Sequence, residues 1–442
     1  MNIVQAVGWY YPDSLGGTEV YVAALARAFR GRGHHVGIAV PEPGARTSRT
    51  YVHEGCEVFR YPTPLAPTRD EAQGRVAVRG ADEFHRWLSE RRPDVVHCHT
   101  FVTGLGLHEL AAARRAAGCV IVTTHASSLG FLCQRGTLMW RGRSMCDGLV
   151  ERQRCTACEL EHRGAGARAA AALARIPRAL TAAARGIPGR FGTALTTGDL
   201  IEHNLARQFE MFRAIDRFVV LSQRAADIVL ANGAPPEKVV VNRLGVSQAV
   251  TRIPVDRPRV RDGVVRVGYV GRFDPIKGVD DLGLALHRLP ADMPIRCEFR
   301  GPLGTDADRA TRAALEDDLG RDPRVSFGDG VPTAEVPALL ASYDVLCCPS
   351  RCLEGGPTVG LEALAAGTPV IAADAGGLAE VIQNGVSGRL VPPGDVGALA
   401  AALEEIARNP AGTIERWRTH LPSPRTMRDV ADDYLKLYAD GG

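Results

Sequence analysis

Short apolar runs alternate with longer amphipathic stretches along almost the whole chain. Asn2–Val7 reads as a first strand, and a glycine-bearing loop follows it. From about Glu19 to Arg30, Tyr21, Leu25, Ala28 and Phe29 recur at helical spacing. Val36–Val40, Asp94–His97 and Val120–Thr123 read as further strands, and Val264–Val270 opens a second series. Strands alternating with helices imply parallel sheet. The Pro- and charge-rich stretch Ile253–Asp262 predicts a linker. The pattern therefore predicts a first α/β domain over 1–250 carrying an insert at about 127–200, and a linker at 251–263. A second α/β domain follows over 264–425, then a C-terminal helix within 426–442 whose pattern runs from Met427 to Tyr438.

In the second series, Val345–Cys348 is a buried strand that ends at Pro349. Gly356 and Pro357 predict an N-cap and the first residue of a helix. The N–H groups of Thr358, Val359 and Gly360 would then point out of that helix start, where an anion is favoured. The next strand follows Gly367, so the loop lies at the carboxyl end of a strand, the edge at which open α/β sheets bind ligands.

Composition narrows the class without naming it. A chain of 442 residues with 23% charged residues is ordinary for a globular protein of two or three domains. A net charge of +3 without a basic run gives no footprint for nucleic acid. No apolar run has the length of a membrane span, and no basic flank marks a signal peptide. The eleven cysteines follow no secreted pattern, so a cytoplasmic protein with reduced thiols is expected.

Candidate chemistry sits in the loops. Arg272 and Lys277, in a turn bounded by Gly271 and Gly278, suit a diphosphate: one offers a planar fork, the other a mobile charge. Glu354 and Glu362, eight positions apart, can grip hydroxyl groups but not phosphate. Gly16 and Gly17 let backbone approach a phosphate at a helix start, although a plain turn would look the same. His97, His99 and His125 compete for one role, with His125 at the carboxyl end of its strand the leading candidate. Cys133, Cys146, Cys155 and Cys158 could close a structural zinc site, or form disulfides, or be unrelated thiols. Between 163 and 198 there are six arginines and no acid, with Pro177 dividing two helices. That segment reads either as a solvated cover or as a face for peripheral contact with anionic lipid on the inner membrane face.

Glu354-x7-Glu362 after a Pro-Ser strand end, together with Gly271-Arg-x4-Lys-Gly278, resembles the retaining glycosyltransferase family 4. Gly16-Gly-Thr-Glu19, Arg32-Gly-His-His-Val36, Pro93–His99, Gly376-Gly377 with Glu380, and Ser387–Asp395 extend the resemblance along the chain, apart from the cysteine-bearing insert. It implies the GT-B fold: two Rossmann-like α/β domains, their parallel sheets facing across a cleft, with the last helix returning to the first domain. It also implies roles. Arg272 and Lys277 would hold the donor diphosphate, and Glu362 the ribose hydroxyls. Glu354 would hold the sugar, helped by backbone around Gly355, Gly356, Pro357, Thr358 and Val359. Gly16, Gly17 and His125 would lie near the reacting sugar. The donor expected is a nucleotide sugar, UDP-linked ahead of GDP- or ADP-linked, with no catalytic metal. The acceptor would be a glycan, a lipid-linked sugar or a small molecule. A sugar-nucleotide epimerase, a phosphorylase and an inactive scaffold stay open as alternatives.

Overall fold

The computed structural model describes residues 1–13, 16–246, 260 and 262–441. The linker predicted at 251–263 therefore lies almost wholly outside the described residues. Contacts divide the chain into two compact units. The first comprises Met1–Gly142, Cys146–Arg243 and Met427–Gly442, and the second Leu244–Thr426 with the short Arg143–Met145.

In the first unit the strands are β1 (Asn2–Ala6), β2 (His35–Pro43), β3 (Arg49–His53), β4 (Cys56–Thr63), β5 (Val95–Cys98), β6 (Cys119–Thr123), β7 (Arg217–Val220) and β8 (Val239–Val241). They form one sheet in the order β8-β7-β6-β5-β1-β2-β4-β3. Every neighbouring pair is parallel except β3 and β4. Helix α1 (Gly17–Arg30) buries Tyr21, Leu25 and Phe29 as the periodicity predicts, with Val22 and Ala26 widening the stripe. It begins two residues earlier than the hydrophobic pattern does, because Gly17 and Thr18 carry no apolar signal.

The insert builds helix α2 (Arg152–His162), a pair of short helices over Ala167–Ala174 and Arg178–Ala183, and the long helix α3 (Gly189–Ala214). Pro177 stands as the N-cap of the second short helix, so it does divide two helices.

The second unit holds β9 (Val265–Val270), β10 (Ile295–Gly301), β11 (Val325–Asp329), β12 (Val345–Cys348), β13 (Val370–Ala373) and β14 (Gly388–Val391). Their order is β11-β10-β9-β12-β13-β14, parallel throughout. Both faces of this sheet are covered. Val345 and Cys347 of β12 join a core with Val267, Phe299 and Trp417, whereas Leu346 and Cys348 join another with Leu361 and Leu364 of helix α4 (Thr358–Ala366). That is why β12 reads as an unbroken apolar run rather than an alternating one.

The last helix, α5 (Met427–Asp440), packs in the first unit. Its Arg32–Asp432 ion pair at 2.6 Å and the buried Tyr434 and Tyr438 fix it there. Strand order reverses between β1 and β5 in the first unit and between β9 and β12 in the second. Such reversals splay the following loops apart and leave a crevice at the carboxyl ends of the strands. The loops that carry Gly16, Gly17, His99, Arg272, Lys277 and Glu354 begin at these two places.

Candidate active site

In the second unit the loops after β9 and β12 are sewn together. Gly278 has φ +71, and a Cβ there would collide with the Pro349 carbonyl, so this position favours glycine. The Arg351 N–H donates to the Ile276 carbonyl at 2.9 Å, and its guanidinium grips Asp281 at 2.5 and 2.7 Å. Asp274 caps the turn between them by accepting from the Ile276 N–H at 3.0 Å. This frame brings two of the sequence candidates into contact. Lys277 Nζ lies 2.5 Å from Glu354 Oε1, which also accepts from the Ser350 hydroxyl at 3.0 Å. Arg272 is more exposed and sits 3.3 Å from Asp274, while Tyr269 donates its hydroxyl to the Arg272 carbonyl at 2.6 Å.

The Glu354–Gly355–Gly356 backbone rests on a second glycine loop. The Gly377 N–H donates to the Glu354 carbonyl at 3.0 Å, and Cβ atoms at Gly376 or Gly377 would strike the carbonyls of Glu354 and Gly355. Gly376-Gly377 thus works as a platform for the Glu354 loop.

The start of α4 differs from its prediction. Gly356 has φ +129, and Pro357 stands as the N-cap with Thr358 the first helical residue. The Gly360 N–H turns back to the Pro357 carbonyl at 3.0 Å, leaving Thr358 and Val359 as the outward-facing N–H donors of the three predicted. One turn on, the Glu362 carboxyl makes no hydrogen bond or ion pair among the described residues, and burial raises its pKa to about 7. A desolvated carboxylate without a partner is costly, and a hydrogen-bond donor such as a hydroxyl group would satisfy it.

In the first unit Gly16 is the N-cap of α1, and Gly17 faces open space. The buried Glu19 carboxylate folds back to within 2.6 Å of where a Gly16 Cβ would lie, so it serves the helix start. The Gly8 N–H donates to Thr100 Oγ1 at 2.6 Å, tying the loop after β1 to the one after β5.

The three histidines are packed into one assembly. His97 and His99 are fully buried with ring centroids 4.0 Å apart, and His99 Nδ1 meets His125 Nε2 at 3.2 Å. His125 keeps a partly exposed edge, with the Tyr21 ring against it at 4.7 Å. Burial lowers its pKa to about 4, so it is neutral at pH 7. Sequence reasoning missed the partners of these rings. Gln5, Thr123, Tyr434 and Tyr438 come from three distant elements and carry no local motif.

Cys133, Cys146, Cys155 and Cys158 all line one hollow with Leu138 and Met139. All four are free thiols, Cys146 Sγ accepting from the Gly148 N–H at 3.5 Å and Cys158 Sγ from the Arg141 N–H at 3.3 Å. A four-sulfur donor set suits zinc. As the side chains stand, however, no three His, Cys, Asp or Glu among the described residues are gathered closely enough to hold a metal ion. In the arginine-rich segment Leu180, Ile187 and Phe191 are exposed, Phe191 by 69%, beside Arg178 and Arg190. No helix among the described residues is long and apolar enough to cross a membrane.

Residues 15–249 match the family profile described as Glycosyltransferase Family 4, and residues 256–420 match Glycosyl transferases group 1. The chain is 33% identical over 229 residues to D-inositol 3-phosphate glycosyltransferase of Mycobacterium marinum, covering 50% of this chain and 48% of that one. It is 32% identical over 216 residues to the MMP alpha-(1->4)-mannosyltransferase of Mycolicibacterium hassiacum, covering 48% and 47%. The chain thus spans about half the length of the curated relatives it matches. Among solved structures, sucrose-phosphate synthase from Thermosynechococcus elongatus superposes with a TM-score of 0.66 at 18% identity, covering 100% of this chain and 99% of that one. Anabaena HepE, solved with UDP and glucose, gives 0.62 at 15% identity over 100% of both chains. These likenesses establish the fold, GT-B with two Rossmann-like α/β domains.

Proposed function

The chain belongs to glycosyltransferase family 4, and from that premise we propose that it moves a hexosyl group from a nucleotide-sugar donor to an acceptor hydroxyl with retention at the anomeric carbon. The observation that carries this reading is the pairing of Lys277 with Glu354 at a strand-order reversal, with Arg272 in the loop of Lys277 and the unsatisfied Glu362 one turn into α4. An arriving diphosphate competes with Glu354 for Lys277, while the Arg272 guanidinium, held only loosely by Asp274, turns to a second phosphate oxygen. As the bond to the anomeric carbon breaks, negative charge builds on the departing diphosphate, and both cations stabilise it in place. Glu354, released from Lys277, accepts from sugar hydroxyls, and the Thr358 and Val359 N–H groups at the start of α4 add donors to the anionic end. Glu362 accepts from the ribose hydroxyls, which repairs its own desolvation. A phosphate oxygen of the leaving group, on the same face as the acceptor, takes the acceptor proton, and this geometry gives retention.

HepE's complex with UDP and glucose favours a UDP-linked donor for this chain as well. The acceptor belongs with the first unit, whose insert distinguishes it from a minimal family member. In this reading the protein is cytoplasmic and touches the inner membrane face through 178–191, and the four insert thiols turn inward on a structural zinc ion.

The test is donor turnover by the purified chain across UDP-, GDP- and ADP-sugars, with and without acceptor hydroxyls. Turnover that requires an acceptor and disappears in Lys277→Ala supports transfer. Acceptor-free isomerisation of the donor would replace it with an epimerase, and dependence on inorganic phosphate with a phosphorylase.

A further inference from the structure

One buried cation of the first unit has no anion. Arg207, on helix α3 of the insert, is 9% exposed. Its Cζ stands 3.9 Å from the centre of the Phe131 ring, and its Nη1 donates to Asn204 Oδ1 at 3.2 Å. Its Nε is sealed from water without a partner. Among the described residues Nη2 makes no hydrogen bond, and no carboxylate forms an ion pair with the group. The acids around it are engaged or too far. Arg75 and Arg185 share Asp199 at 2.7 and 2.6 Å, and Glu109 accepts from the Gly106 N–H at 2.7 Å. Burial lowers the Arg207 pKa to about 10, with Glu210 and Glu109 offsetting part of the shift, so the group is charged at pH 7. A charge held this deep without a counter-ion is costly.

The free edge of the guanidinium meets segments that leave the carboxyl ends of two strands. A Cβ on Gly74, after β4, would lie 2.6 Å from Nη2, and one on Gly106, after β5, would lie 3.5 Å from it. Gly74 also has φ +63, so angle and space both favour glycine there. Gly106 is the N-cap of the helix Leu107–Ala116. The N–H groups of Leu107 and His108 in its first turn make no hydrogen bond among the described residues. A helix start and an unpaired guanidinium edge therefore come together in the loop after β5, a strand at which the order reverses.

We propose that Arg207, with the N–H groups of Leu107 and His108, binds an anionic group, phosphate or carboxylate, carried by the acceptor. Nε–H and Nη2–H point the same way and form the edge that takes two oxygens of one anion. The helix start adds its own partial positive charge. An uncharged acceptor would leave the buried cation unpaired, so the site selects acceptors by charge. The insert thus contributes a specificity residue from the middle of its longest helix.

That the anion belongs to an acceptor rests on the proposed transferase reading; anion binding itself does not, and the two can be tested apart. Calorimetric titration of the full chain without donor, at constant ionic strength, compares inorganic phosphate, glucose-6-phosphate, glucuronate and glucose. A charged sugar should bind at least about 10-fold tighter than glucose, and the tighter of the two names the group. Arg207→Met keeps an apolar stem against Phe131 and should erase that preference. Its Tm should not fall, because an unpaired buried charge has been removed. Arg207→Lys keeps the charge without the fork and should fall between. The preference should survive Lys277→Ala, which removes a cation proposed for the donor. Equal binding of glucose and its charged counterparts would overturn the proposal. So would a preference unchanged in Arg207→Met, or one lost in Lys277→Ala instead. Anion binding that depends on Arg207, in a chain that transfers no sugar to any acceptor, would sink the transferase reading and leave the anion site standing.

Discussion

The two strand-order reversals occupy the same topological position, yet they are furnished in opposite ways. Around β9 and β12 the side chains are charged and paired: Lys277 with Glu354 and Arg351 with Asp281 across loops, and Arg272 with Asp274 within one. Around β1 and β5, extended by β6, the central groups are neutral rings and hydroxyls sealed from water, with His97 and His99 0% and 1% exposed. Charge that must yield to a ligand has to stay partly solvated, because a fully buried pair loses too much when one partner leaves. A group that fixes direction does better buried, where a hydrogen bond cannot be exchanged for water. The difference teaches that, in the proposed reading, one crevice takes up developing charge and the other orients an uncharged group.

The sharpest way to break that comparison is to remove single groups from each side. Lys277→Ala and Arg272→Ala are expected to lower kcat/KM by about 100- to 1000-fold, as loss of a charge-stabilising donor does. His125→Ala should cost closer to about 10-fold. Steady-state kinetics with a turned-over donor checks this, and equal losses on both sides would erase the contrast.

Glu362→Gln tests the cost of holding a carboxyl for a ligand. Burial raises the Glu362 pKa from 4.5 to about 7, so the folded chain binds this proton more tightly than the unfolded one. Its contribution to stability is complete below pH 4.5 and is lost as pH rises through about 7. The variant should match the parent's Tm near pH 4 and exceed it near pH 8, while donor affinity falls about 10-fold. A Tm difference that does not vary with pH would show that the carboxyl is not desolvated.

The insert supplies two smaller effects. Metal analysis of purified protein should find about one zinc per chain, lost in the Cys155→Ser, Cys158→Ser double variant. Metal-free protein with full activity would leave the four thiols as ordinary lining. Replacing Leu180 and Phe191 with Ser should reduce co-sedimentation with anionic vesicles by about 3-fold and leave turnover of a soluble acceptor unchanged. Equal binding by parent and variant would remove the membrane from the account.

Much of the second unit's fold could be read from its sequence, and its candidate groups could be picked out there, because they are local. Arg272, Lys277, Glu354 and Glu362 lie within two short motifs, each attached to an apolar strand, and a loop of fixed length carries its residues to a known edge. The same local reading failed at α4, where the helix starts one residue later, after Gly356 at φ +129, and Gly360 uses an N–H expected to be free. A dihedral angle at one glycine is not written in the pattern of apolar positions.

The sequence by itself determined the alternation of strand and helix, the glycines at tight approaches and the presence of paired cations and carboxylates, since each depends on neighbours only a few residues away. Tertiary structure alone decided that Lys277 spends its charge on Glu354, and that three histidines pack as one assembly. It also placed Tyr438, 341 residues beyond His97, within hydrogen-bond reach of it. The physical reason is range. Backbone geometry and amphipathic spacing act within a turn or a strand, whereas the protonation and pairing of a buried group depend on whatever the fold packs against it.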